Sequence, residues 1–166
     1  SASASVQGSS WTLAGVAGDV SSLTAVARGF GIAGDAGADA IRNEGSIVLN
    51  LASTLQASGG SNAIIGKAAP STQLAATTEA AGLAGGSGAD AIENLQDIDI
   101  TSVASIDAKN TSATFAGDPG FSAFLSAGAD ATGIDGGDDA DWIRNAGRIA
   151  TRAEAISAVS GGVKST

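Results

Sequence analysis

The chain has 166 residues, 24 glycines, two tryptophans, four phenylalanines, no tyrosine, cysteine or histidine, and a formal charge of -9. Histidine-based catalysis, disulfides and thiolate or imidazole metal sites are excluded by composition. The acidic balance disfavours nucleic acid and anionic lipid as partners, and no apolar run is long enough to cross a membrane as a helix.

In chain order, a pattern recurs with a period of 51 residues. Gly15, Gly66 and Gly117 form one column, and Leu23, Leu74 and Leu125 another. Gly31, Gly82 and Gly133 open the clearest stretch, followed by Asp39, Asp90 and Asp141, then Ile41, Ile92 and Ile143. Asn43, Asn94 and Asn145 come next, and Ile47, Ile98 and Ile149 close it. Such regularity suits stacked layers, each fitting the one below, better than a single catalytic site needing unique surroundings. The repeat units are 11–61, 62–112 and 113–163, with 1–10 the end of a preceding unit, in a single domain spanning 1–166.

From Ile47, apolar or small residues alternate at Ile47, Leu49, Leu51, Ser53, Leu55 and Ala57, and the same columns recur from Ile98 and from Ile149. A period of two argues strand, with one set inside and the other in water. Alanine favours helix, but no 3.6-residue spacing appears and Gly, Ser and Thr are too frequent. A core of mostly alanine and glycine must be thin.

Within each unit lies a weaker half-repeat: Leu51–Gly59 resembles Leu74–Gly82. This divides the unit into parts of about 23 and 28 residues, a usual length for one turn of a parallel β-helix. The fold class is therefore all-β, a parallel β-helix (β-solenoid) with about two coils per 51-residue repeat and six to seven coils in total. At about 4.8 Å per layer the chain should form a rod on the order of 30 Å long. Asn43, Asn94 and Asn145 would then lie too far apart to bond one another, each instead bonding a backbone group. A continuous asparagine ladder would mean one very wide coil per unit.

Gly85-Gly86-Ser87-Gly88-Ala89-Asp90-Ala91-Ile92-Glu93 resembles the calcium-binding nonapeptide of repeats-in-toxin proteins. The copy at 34–41 lacks the second glycine, and the copy at 136–143 has Asp139 in place of the third. Two readings stand. Asp39, Asp90 and Asp141, with Asp135, Asp138 and Asp139 in the third copy, are candidate Ca²⁺ ligands, but one turn supplies fewer oxygens than the six to eight the ion takes. Alternatively these are tight corners, with glycine at positive φ and aspartate capping backbone amides.

The glycine-rich turn at 133–138 and the strand Ile143-Arg144-Asn145-Ala146-Gly147-Arg148-Ile149 resemble passenger repeats of large bacterial surface proteins such as autotransporter-like adhesins. The resemblance implies a secreted or cell-surface bacterial location and a structural role as stalk, fibre or surface-layer component. It implies partners that are further copies (end to end or lateral), or other surface proteins and glycans. It transfers no catalytic residue and requires no cofactor. The alternatives are a calcium-stabilised glycan-binding module and a polysaccharide-cleaving β-helix enzyme. The enzyme reading rests on Asp97 and Asp99, which bracket inward Ile98 and share the outer face. Phe115, Phe121, Phe124, Trp11 and Trp142 are candidate contact aromatics, and Arg144, Arg148 and Arg152 form a spaced basic stripe.

Overall fold

The computed structural model describes residues 2–18 and 20–165. Ten strands follow in order: β1 (Ala2–Ala17), β2 (Val20–Ala33), β3 (Ala40–Asn43), β4 (Ile47–Ala68), β5 (Ser71–Ser87), β6 (Ala91–Asn94), β7 (Ile98–Pro119), β8 (Ser122–Asp138), β9 (Trp142–Asn145) and β10 (Ile149–Ser165). They form three parallel sheets, ordered β1-β4-β7-β10, β2-β5-β8 and β3-β6-β9. The chain is a parallel β-solenoid.

The coil count departs from the sequence expectation. Leu55 pairs with Ile106 and Leu74 with Leu125, so the register between stacked strands is the full 51 residues. One unit makes one wide coil, and the described chain makes three coils plus the first strand of a fourth, not six to seven. At about 4.8 Å per layer the stack rises roughly 16 Å, half the expected length.

The half-repeat has a different cause from the one expected. Leu51–Gly59 lies on β4 and Leu74–Gly82 on β5, and these strands face each other within one coil. Leu55 and Ala57 of β4 pack with Leu74 and Ala76 of β5. Leu51 packs with Ala80, Leu83 and Ile92. Both strands present alternate residues to the same thin core, so both carry the same small-apolar pattern.

Between them the chain doubles back at Gly66, flanked in the stack by Gly15 and Gly117, all at positive φ (123°, 114° and 143°). A Cβ on Gly66 would overlap the Gly15 carbonyl oxygen, and one on Gly117 that of Gly66. Glycine is required there both by φ and by the closeness of the layer below.

The predicted inward columns from Ile47 and Ile98 are half-buried to buried, whereas the one from Ile149, in the last described layer, is exposed. Ile98, Ile100, Ala104, Ile106 and Ala108 are all buried. A Cβ on Gly82 would press on the Ile98 side chain, as would one on Gly133 on Ile149. The glycine and isoleucine that open and close the repeated stretch are therefore partners across the core.

Candidate functional site: the aspartate–asparagine corner

The third sheet is four residues wide and joins β2, β5 and β8 back to the next coil. Its corner begins with residues at positive φ: Asp35 (73°), Gly86 (106°) and Gly137 (93°) in one column, then Gly37 (122°), Gly88 (124°) and Asp139 (77°) in another. The two departures from the nonapeptide, Asp35 and Asp139, are thus aspartates in left-handed positions. Aspartate is among the few side chains that visit this region readily.

Asp39, Asp90 and Asp141 stack in one column. The Asp39 amide donates to Asp90 Oδ1 at 2.8 Å, and the Asp90 amide to Asp141 Oδ1 at 2.9 Å. The Asp90 and Asp141 carboxylates therefore each cap the backbone of the coil beneath. The second oxygens, Oδ2 of Asp39 and Asp90, are buried without a hydrogen-bond partner. A Cβ on Gly34 would press on Asp39 Oδ2, and one on Gly85 would overlap Asp90 Oδ2. The bare glycine Cα lets the carboxylate seat against the chain.

Four residues on, the asparagines form a continuous ladder. Asn43 Nδ2 donates to Asn94 Oδ1 at 2.7 Å, and Asn94 Nδ2 to Asn145 Oδ1 at 2.7 Å. Asn94 Nδ2 also reaches the Gln96 carbonyl at 2.7 Å, and Asn145 Nδ2 that of Gly147 at 2.8 Å. Direct bonding replaces the expected backbone partners in an intervening coil, because no coil intervenes. On the outer side Glu93 lies between Arg42, at 3.2 Å, and Arg144.

The six aspartates proposed as metal ligands separate into two groups. Asp39, Asp90 and Asp141 share the inner column, one carboxylate per layer. Asp135, Asp138 and Asp139 are exposed on the outside, where Asp135 Oδ1 accepts from the Gly137 amide at 3.1 Å. Arg144 pairs with Glu93 and not with this group. Among the described residues no three acidic side chains converge on one point. The donor set falls short of the six to eight oxygens calcium takes.

Asp97 and Asp99 flank buried Ile98 and are both exposed, as expected. Asp97 Oδ1 accepts from the Arg148 amide at 2.9 Å, a capping role like that of the aspartate column. Arg152 pairs with Glu154 at 2.6 Å. Of the candidate contact aromatics, Trp11, Phe115, Phe124 and Trp142 are exposed, and Phe121 is 37% exposed. Trp11 and Phe115 lie near each other with Ile64, whereas Phe124 lies apart on β8 beside Leu74. Sequence reasoning did not single out Leu13, Val16 and Ile65, which are also exposed.

No protein-family model, curated protein or solved structure matches this chain.

Proposed function

We propose that this chain is a structural element, a stacked spacer that performs no chemistry and builds a fibre, stalk or surface layer by association with further copies. The observation that carries the reading is the use of the repeated polar residues. The asparagine column and the aspartate column spend their hydrogen bonds on the layer above or below. Side chains so engaged set coil against coil.

The resemblance to passenger repeats of bacterial surface proteins supports a secreted or cell-surface setting, and an acidic, cysteine-free chain is compatible with it. Sedimentation and electron microscopy over a range of concentrations test the reading. Elongated assemblies growing with concentration are expected; a strictly monomeric species at high concentration contradicts it.

A calcium-stabilised glycan-binding module is the second reading. The unpartnered buried Oδ2 atoms of Asp39 and Asp90 favour it. Thermal melts with calcium and with chelator separate the two readings, since an unchanged melting temperature removes the calcium one.

A further inference from the structure

We infer that the outer face of the first sheet is a binding site for a neutral glycan, anchored on Trp11 and Phe115. This adds a binding activity to the stacked spacer and requires neither calcium nor assembly.

Strands β4 and β7 turn alternate side chains outward, and the outward columns change in character along the strands. At the bend end, Trp11, Asn62, Ile64, Phe115 and Lys164 line one open groove across the stack. Trp11 pairs with Asn62, Asn62 with Ala113 and Ala113 with Lys164, so the small Ala113 leaves a dip in that column. Trp11 is 66% exposed and Phe115 67%. Phe115 belongs to β7, which has β4 on one side and β10 on the other. Its exposure is therefore lateral, and further layers would not cover it.

Next along the strands comes a low shelf of Ser9, Gly60 and Thr111, in register across three layers. Beyond it Gln7, Ser58 and Lys109, then Ser5, Gln56 and Asp107, line a second and polar groove. Lys109 and Asp107 pair at 3.3 Å, so that groove carries no net charge. From Gln56 to Ile64 the two grooves span roughly 26 Å along one strand, room for several sugar rings.

This mixture selects a glycan. A pyranose ring has a face of C–H groups, which carry partial positive charge and seat on the negative face of an aromatic ring. Its rim of hydroxyls both donates and accepts, matching exposed amides and hydroxyls such as Gln56, Asn62 and Thr111. Charge matches too. The chain carries -9, yet in this stretch Asp107 is offset by Lys109 and Lys164 adds a donor. The outer face of the second sheet instead stacks Glu79 on Asp130 and sets Asp35, Asp135 and Asp138 around one groove. A basic partner would be drawn to that face, whereas an uncharged, hydroxyl-rich one suits the first.

Calorimetry and tryptophan emission test the site, with unbranched hexamers of glucose, mannose, xylose and N-acetylglucosamine, in the presence of chelator. Trp142→Phe leaves Trp11 as the sole reporter, since the chain has two tryptophans. Saturable binding of at least one hexamer is expected, with a shift in Trp11 emission. Trp11→Ala and Phe115→Ala should each weaken it about tenfold or more, the scale of losing an aromatic anchor. Both side chains are exposed, so each variant should keep the parent's melting temperature. Phe124→Ala, which removes an exposed aromatic on β8, should leave binding unchanged.

No binding of any hexamer at millimolar concentration overturns the assignment, as does binding that Trp11→Ala and Phe115→Ala leave intact. Binding seen only with added calcium overturns it in favour of the calcium-stabilised module. Loss of assembly in the two variants, without saccharide binding by the parent, makes the face a contact between copies instead. None of these failures touches the stacked-spacer reading, which stands or falls on the growth of assemblies.

Discussion

The middle of the stack and its last layer carry the same residues in the same columns, yet differ sharply in burial. Ile92 and Ile98 are fully buried, while Ile143 and Ile149, one period later, are 47% and 37% exposed. Asn94 is buried and bonded both above and below, whereas Asn145 is exposed. Residue identity is constant, so the difference comes from the neighbouring layer alone. In a solenoid a side chain's contribution is set by its position in the stack.

This comparison can be broken in graded ways, all read by thermal or denaturant unfolding. The largest effect is expected at the bend. Gly66→Ala forces a Cβ into the Gly15 carbonyl and should cost at least about 3 kcal/mol, or prevent folding. Gly15→Ala, with no atom in the way, should cost only its backbone strain, about 1–3 kcal/mol. Equal costs would mean that the layers do not touch at the bend.

Ile98→Ala should then cost about 3 kcal/mol, and Ile149→Ala less than about 1 kcal/mol, because only the first leaves a closed cavity. Asn94→Ala strands the Asn43 donor in a buried site and should cost about 2–3 kcal/mol, against about 1 kcal/mol or less for Asn145→Ala. Smallest of all is Arg144→Ala, which removes a half-exposed ion pair with Glu93 and should change stability by less than about 1 kcal/mol.

Asp90→Asn sharpens the account in another direction. It keeps the oxygen that caps the Asp39 amide while removing a charge whose second oxygen is unpartnered. A loss of about 1–2 kcal/mol is expected, because the amide nitrogen that takes the place of Oδ2 has no acceptor in that buried site, and the loss should be the same with and without calcium. A loss of stability seen only in the presence of calcium would favour the metal-bound reading.

The period, the parallel solenoid and the inward columns from Ile47 and Ile98 were legible because alternation and stacking each leave a direct trace. Coil size was not legible from the half-repeat. Leu51–Gly59 and Leu74–Gly82 look alike because they face one core, and similarity of that kind mimics two stacked layers. The distinguishing signal lay elsewhere, in the columns occurring once per unit. Gly15, Gly66 and Gly117 mark a single doubling-back per period, and the three asparagines a side-chain ladder that only adjacent layers can form. At the corner, the capping role of the aspartates follows from their residue type. Their division into an inner column and an outer group depends on side-chain direction in a tight turn, which spacing does not specify.

Spin labels on pairs of introduced cysteines test the one-coil-per-unit account most directly. Gln56 and Asp107 are neighbours in the stack, whereas Gln56 and Glu79 lie on opposite outer faces of the same coil. The account predicts strong spin exchange for Gln56→Cys with Asp107→Cys, at about 5 Å between backbones, and none for Gln56→Cys with Glu79→Cys, at more than about 10 Å. Exchange in the second pair and its absence in the first would place two coils in each unit and contradict it.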